Sequence, residues 1–174
     1  MMVYELNKSE LIFENKVIDY LTKIGGTKQW EYRPDIKNTE ALWNNFKRIL
    51  EQNNRGRLDK ELSTAEFNQV KRVINQLDTP YKAGQFLYGV NGVSQVEVDL
   101  DNGEHVFLTV FDQAQVGGGN TVYQVVNQIE RKNAIPGKPN RRFDVTLLIN
   151  GLPMIQIELK SAMRPANEAL NQME

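Results

Sequence analysis

The spacing of apolar residues changes along the chain, and this change limits the possible folds more than any other feature. In the first half, apolar residues recur every three or four positions, which predicts helices over 9–24, over 39–52 and from Ser63 onward. In the second half they alternate with polar residues, which predicts strands. A last helix is predicted over 161–174. This order indicates a mixed α+β (α/β) fold, in which a mixed central sheet is flanked by helices.

Local patterns refine this outline. The sequence Ser63-Thr64-Ala65-Glu66 is a capping box and predicts the start of the third helix, which ends before Pro80. The segment 121–130 is compatible with a strand or a short helix. The predicted buried stripe of the first helix consists of Ile12, Phe13, Val17, Tyr20, Leu21 and Ile24. The other predicted strands cover 96–100, 105–111, 143–149 and 154–159.

Composition limits the chemistry. The chain has 174 residues, which predicts one compact domain over 1–174. Because it has no Cys and one His, cysteine-bound metals, thiol nucleophiles and multi-histidine sites are excluded, and a metal site must use oxygen ligands, which favours Mg²⁺. No segment approaches the roughly 18 apolar residues of a membrane-spanning helix, and the first residues lack a signal-peptide pattern. We therefore expect a cytoplasmic protein with no membrane partner.

A basic segment interrupts this near-neutral chain, whose net charge is −1. Between 131 and 142 there are five basic residues and no acidic one. Such a run is either a solvated loop or a surface that contacts phosphates. The five residues are Arg131, Lys132, Lys138, Arg141 and Arg142.

The strands around Asn150-Gly151 carry an Asp on one side and Glu-x-Lys on the other. A two-residue turn would mix polar and apolar side chains on both faces of the hairpin. A three-residue loop over 150–152 keeps one face apolar, as burial requires. That register pairs Phe143 with Leu159, Val145 with Ile157 and Leu147 with Ile155. It pairs Asp144 with Glu158, Thr146 with Gln156 and Leu148 with Met154.

Two opposed carboxylates beside a lysine can form a cation site. The Cβ atoms of directly opposed residues lie about 4.5–5.5 Å apart, and like charges at that distance repel unless a cation compensates them. Mg²⁺ between Asp144 and Glu158, with Lys160 on the same face as Glu158, suits phosphodiester hydrolysis. A surface ion network of the same three residues is the alternative that spacing alone leaves open.

The stretch RRFDVTLLINGLPMIQIELKS resembles the nuclease core of the R subunit of type I restriction endonucleases, within the PD-(D/E)xK nuclease superfamily. FENKVIDYLTKIGG and GNTVYQVVNQIE support the resemblance, and Phe143 replaces the usual proline before the aspartate. The resemblance implies a restriction-endonuclease-like fold with a helix-rich insertion near the N-terminus. It also implies catalytic residues Asp144, Glu158 and Lys160, with Mg²⁺ bound by Asp144, Glu158 and the carbonyl of Leu159. Glu14 and Gln172 are implied as accessory residues.

The same resemblance implies a function. We expect Mg²⁺-dependent endonucleolytic cleavage of double-stranded DNA by a hydrolase domain of a prokaryotic type I restriction-modification complex, with methylase and specificity subunits as partners. Lys138, Arg141 and Arg142 are the expected DNA-phosphate contacts. Helicase-like motifs that would use ATP are absent from the sequence, so we expect a portion of a longer R subunit. The alternatives are a non-catalytic DNA-binding or subunit-docking module, and a stand-alone repair nuclease.

Overall fold

The computed structural model describes residues 8–24, 30–132 and 140–159. These ranges contain helices and strands in the mixed α+β arrangement that the sequence predicts, and no described helix has the length and apolarity needed to cross a membrane. The helix predicted over 161–174 lies outside the described residues. The elements are α1 (Lys8–Lys23), β1 (Trp30–Tyr32), α2 (Thr39–Asn53), α3 (Thr64–Asn75), α4 (Pro80–Tyr88), β2 (Val93–Asp99), β3 (His105–Asp112), a 3₁₀ turn (Gln113–Gln115), β4 (Tyr123–Arg131), β5 (Arg141–Ile149) and β6 (Leu152–Ile157).

The chain divides into two compact units. Unit 1 combines Met1–Leu42 with Tyr123–Glu174, and unit 2 is the continuous segment Trp43–Val122 between them. Unit 2 holds most of α2 together with α3, α4 and the β2–β3 hairpin. The predicted helix-rich insertion is therefore present. The expectation of one nuclease domain over 1–174 stays a prediction.

Unit 1 contains a four-stranded mixed sheet in the order β1-β4-β5-β6. Strand β1 runs parallel to β4, and the other neighbours are antiparallel. The segment 121–130, which the sequence made compatible with a strand or a short helix, thus forms most of strand β4. Strand β1 was not predicted, because three residues are too few to show an alternating pattern.

Helices cover both faces of this sheet, as predicted. Helix α1 packs on one face, and the start of α2 packs on the other. Because neighbouring residues of a strand point to opposite faces, β4 and β5 contribute to both cores. The core on the α1 face contains Ile18, Val125, Val145 and Leu147, and that on the α2 face contains Ile36, Val126, Ile129 and Leu148.

The predicted buried stripe of α1 is largely wrong. Ile12, Phe13 and Tyr20 are 57%, 53% and 65% exposed, and Ile24 is also exposed. Over residues 10–23 of the helix, the buried residues are Ile18 and, one turn earlier, the acidic Glu14. A hydrophobic pattern assigns a glutamate to the solvent side, so it misplaces a helix whose buried face carries a partnered carboxylate.

The capping box of α3 in unit 2 is confirmed. Ser63 Oγ accepts a hydrogen bond from the backbone N–H of Glu66, and the Glu66 carboxylate accepts one from the Ser63 N–H at 2.6 Å. The other Glu66 oxygen accepts the Asp101 N–H at 2.8 Å, which ties the helix to the turn after β2. Helix α3 ends before Thr79-Pro80, as predicted, and Thr79 caps the N-terminus of α4, a helix that was not predicted.

We expect Glu66→Gln to destabilise the protein by about 1–3 kcal/mol, because the amide presents N–H to one of two backbone donors inside a buried site. The hydrogen bond from Asp101 is the main reason that the pKa of Glu66 is lowered. A lowered pKa stabilises the fold above the ordinary glutamate pKa, and this contribution is lost as the pH falls through the folded value. Urea unfolding at several pH values measures both effects. Glu40→Gln, in the exposed first turn of α2, is the control. Equal free energies of unfolding for the two variants would contradict the stabilising role of the Glu66 carboxylate.

Candidate active site

The hairpin β5–β6 positions the predicted carboxylates. Its turn is Asn150-Gly151, with φ of 51° and 80°, and it pairs Ile149 with Leu152. The predicted three-residue loop is therefore wrong, since the Asn-Gly sequence adopts the two-residue turn that suits its positive φ values.

An irregularity restores the predicted pairing further along the hairpin. Leu148 pairs with Pro153 rather than Met154, and the register then shifts by one residue. Beyond the shift the predicted pairs are confirmed, and they are Leu147 with Ile155, Thr146 with Gln156 and Val145 with Ile157. A bulge at Met154 thus combines the tight turn with the register that keeps one face of the hairpin apolar.

Asp144 and Glu158 are the next residues after the last pair of this ladder. The Asp144 carboxylate accepts a hydrogen bond from the backbone N–H of Leu159 at 2.7 Å. The two segments of the hairpin therefore stay side by side beyond the last ladder pair. Gln156 donates its side-chain amide to Glu158 at 2.6 Å, which indicates that these two side chains share a face. The predicted pairs of Asp144 with Glu158 and of Phe143 with Leu159 lie beyond the ladder, and a shared cation site stays a prediction.

Phe143 does not join the apolar face on which the sequence placed it. It packs against the α2-face core with Ile129, whereas Val145 and Leu147 belong to the α1-face core. Residues two apart normally share a face, so the alternation of β5 breaks at Asp144. The backbone is therefore irregular at the position of the predicted catalytic aspartate.

The neighbouring strand is irregular at the matching position. The pairs Asn127–Val145 and Ile129–Phe143 place Gln128 opposite Asp144. Gln128 has φ of 56°, a left-handed conformation that costs a residue with a side chain on the order of 1–2 kcal/mol. Strain of this kind is retained where the surrounding structure holds it, most often at functional sites.

The left-handed residue lets two adjacent amides reach one carboxylate. Asn127 Nδ2 donates to Glu14 Oε1 at 2.6 Å, and Gln128 Nε2 donates to Glu14 Oε2 at 2.5 Å. Neighbouring strand residues normally point to opposite faces, so both contacts require the turned backbone at Gln128. Glu14 is 1% exposed, and the structure places this predicted accessory residue beside the strand position opposite Asp144.

Two further side chains complete what we call the Glu14 network, which consists of Glu14, Tyr32, Lys37, Asn127 and Gln128. The Tyr32 hydroxyl donates to Asn127 Oδ1 at 2.9 Å, and Lys37 Nζ donates to the same atom at 2.5 Å. Lys37 Nζ also donates to the Asn127 backbone carbonyl at 2.8 Å. Burial lowers the pKa of Lys37, and the Glu14 charge opposes this; burial and the same charge raise the pKa of Tyr32.

Within the described residues, one atom of the network has no hydrogen-bond partner. Gln128 Oε1 is buried and, within residues 8–24, 30–132 and 140–159, accepts no hydrogen bond. A buried amide oxygen of this kind, on the residue opposite Asp144 in the strand register, suits a hard cation, which prefers carboxylate and carbonyl oxygens. The described part of the chain contains no group of three or more His, Cys, Asp or Glu side chains close enough to hold a metal. A cation here would therefore depend on Asp144, Glu158 and amide or backbone carbonyls.

The predicted phosphate contacts lie at the start of β5. Arg141 is exposed and pairs across the strands with Arg131, which is also exposed, and the half-buried Arg142 pairs with Glu130. Like charges directly opposite each other are destabilising, and a bound anion relieves them. The predicted residues Lys138, Lys160 and Gln172 lie outside the described residues.

Four members of the Glu14 network were not predicted from the sequence, and they are Tyr32, Lys37, Asn127 and Gln128. A signal was present for two of them, because Asn127-Gln128 is a polar pair inside an apolar strand. Tyr32 and Lys37 gave no signal, since the residue that they contact is at least 90 positions away in the sequence.

Comparisons with known proteins agree with the motif. The family model for the type I restriction enzyme R protein N terminus matches residues 7–174. Three relatives are type I restriction enzyme endonuclease subunits. SauMSSORF170P of Staphylococcus aureus is 29% identical over 96% of this chain and 16% of its own length. SsaAORF53P of Staphylococcus saprophyticus is 29% identical over 99% of this chain and 16% of its own length. EcoprrI of Escherichia coli is 30% identical over 98% of this chain and 50% of its own length. The chain thus spans about a sixth of the staphylococcal relatives.

Proposed function

The chain belongs to the type I restriction enzyme R protein N terminus family, and from this membership we propose that it is the nuclease domain of a restriction endonuclease subunit. The proposed reaction is Mg²⁺-dependent hydrolysis of phosphodiester bonds in double-stranded DNA. Methylase and specificity subunits are the proposed partners, and ATP would be used only by other domains. The observation that carries the proposal is the 2.7 Å hydrogen bond between Leu159 N–H and Asp144, which joins the two halves of the Asp…Glu-x-Lys motif.

Asp144, Glu158 and the Leu159 carbonyl would hold Mg²⁺. When bound, the ion polarises the phosphate and acidifies the attacking water. The water oxygen would form a bond to phosphorus while one phosphodiester P–O bond breaks. The attacking water would lose a proton to solvent and the leaving oxygen would take one up, so the products would be a phosphate monoester and an alcohol. Lys160, the residue after Leu159 in the sequence, would orient the water or stabilise the charge that develops on the phosphate oxygens.

Metal removal tests this proposal. Supercoiled plasmid is incubated with the subunit in its assembled complex, either with Mg²⁺ or with EDTA. The proposed function predicts nicked and linear DNA only with Mg²⁺. DNA binding without cleavage under both conditions would indicate a docking or DNA-binding module. Cleavage by the chain without methylase and specificity subunits would indicate a stand-alone nuclease.

The arginines at the start of β5 give a separate prediction. Arg141→Ala/Arg142→Ala should weaken binding of unrelated duplex sequences equally and reduce the slope of log K against log salt by about 0.9 for each phosphate that the variant no longer neutralises. Fluorescence anisotropy over a salt series measures both quantities. Arg55→Ala/Lys60→Ala removes the same charge from exposed positions of unit 2 and is the control. Unchanged affinity of the β5 variant relative to this control would refute the role of these arginines in binding phosphates.

A further inference from the structure

Gln128 is a left-handed residue in the interior of a strand, and glycine is the residue that tolerates such a backbone without strain. Its pairing neighbours on both sides are regular, so the strain is confined to the position opposite Asp144. Gln128 lies neither in a loop nor at the end of β4, so neither explains its positive φ. What the strained backbone achieves is the second amide hydrogen bond to Glu14.

The two ends of the Gln128 amide have different surroundings. The Nε2 end donates to Glu14, which is almost completely buried. The Oε1 end is buried and accepts no hydrogen bond from the part of the chain that the structure describes. Folded proteins seldom leave a buried acceptor without a partner, and since the described residues supply none, the expected partner is a bound group.

We infer that Gln128 is a positioning residue for the divalent cation, a role that rests on the proposed function. Its amide N–H fixes the Glu14 carboxylate, and its amide oxygen accepts from the hydration shell of the cation held by Asp144. Mg²⁺ usually retains several waters in proteins, and these need oriented acceptors. The positive φ of Gln128 is the consequence of placing one side chain between the Glu14 carboxylate and the waters of the cation.

The substitution Gln128→Gly separates this role from a structural one. Gln128→Gly relieves the left-handed strain but removes an amide donor to the buried Glu14, and because these opposing effects are of similar size, the thermal midpoint should stay within a few degrees of the wild type. The affinity for Mn²⁺, measured on the 174-residue chain by electron paramagnetic resonance of free Mn²⁺, should fall about 10–100-fold, the usual effect of losing an outer-shell partner. Gln128→Asn also tolerates positive φ but has a shorter reach, and it should lose Mn²⁺ affinity in the same way.

Asn91→Gly is the matched control, because Asn91 has φ of 55° in unit 2. It should leave Mn²⁺ affinity unchanged. Wild-type Mn²⁺ affinity in both Gln128 variants would overturn the inference, provided that Asp144→Asn lowers the affinity in the same assay. If Asp144→Asn binds Mn²⁺ like the wild type, the proposed function itself fails. The two failures are therefore distinguishable.

Discussion

Asp144→Asn is expected to retain the fold and to reduce Mg²⁺-dependent DNA cleavage by more than about 100-fold, the upper range for losing a mere outer-shell partner. The fold should persist because the asparagine oxygen can still accept the Leu159 N–H that Asp144 accepts at 2.7 Å. The amide then presents N–H where a carboxylate oxygen would bind the cation. Cleavage of plasmid by the assembled complex measures the effect.

Asp19→Asn removes the same charge from an exposed position of α1 and serves as the control. It should cleave like the wild type. If Asp144→Asn also cleaves within a few-fold of the wild type, the chemistry lies elsewhere in the protein. Circular dichroism of both variants confirms that a loss of cleavage does not reflect unfolding.

The second large effect concerns stability. Asn127→Leu should lower the free energy of unfolding by about 3–5 kcal/mol, because it leaves the buried Glu14 carboxylate with one amide donor fewer. It also removes the side-chain oxygen that accepts from Tyr32 and Lys37. Urea unfolding followed by circular dichroism measures the change. Asn44→Leu, at an exposed position of α2, should shift the free energy by less than about 0.5 kcal/mol.

A double-mutant cycle separates loss of the Glu14 network from loss of packing. Glu14→Leu/Asn127→Leu removes the carboxylate and the amide together, so it should cost less than the sum of the single variants. Additive effects of the two substitutions would mean that Glu14 and Asn127 act independently and that the 2.6 Å hydrogen bond between them contributes little.

The hairpin shows what the sequence could predict. The alternation of apolar residues identified the register at Val145–Ile157, because burial of one face decides it. The turn was predicted wrongly, since the sequence pattern accommodates either a longer loop or a tight turn with a bulge. Both solutions give the same register, and only the tight turn matches the positive φ of Asn150 and Gly151.

The Glu14 network shows what the sequence could not predict. Its hydrogen bonds join β4 to α1 and to the segment around β1, and their partners lie at least 90 residues apart in the sequence. Glu14 was identified through a family resemblance and not through the helical pattern, which favoured the exposed face of Ile12 and Tyr20. The strain at Gln128 depends on its neighbours in space, and no local propensity for glutamine indicates it.

The most direct test of the central claim is to locate the cation. Crystals of the chain soaked in Mn²⁺ and measured at the manganese absorption edge give its position from anomalous diffraction. We expect one strong peak within about 2.5 Å of oxygens from both Asp144 and Glu158, which is the range of oxygen coordination for such ions. A peak that contacts neither carboxylate, or no peak at a Mn²⁺ concentration that supports cleavage, would contradict it.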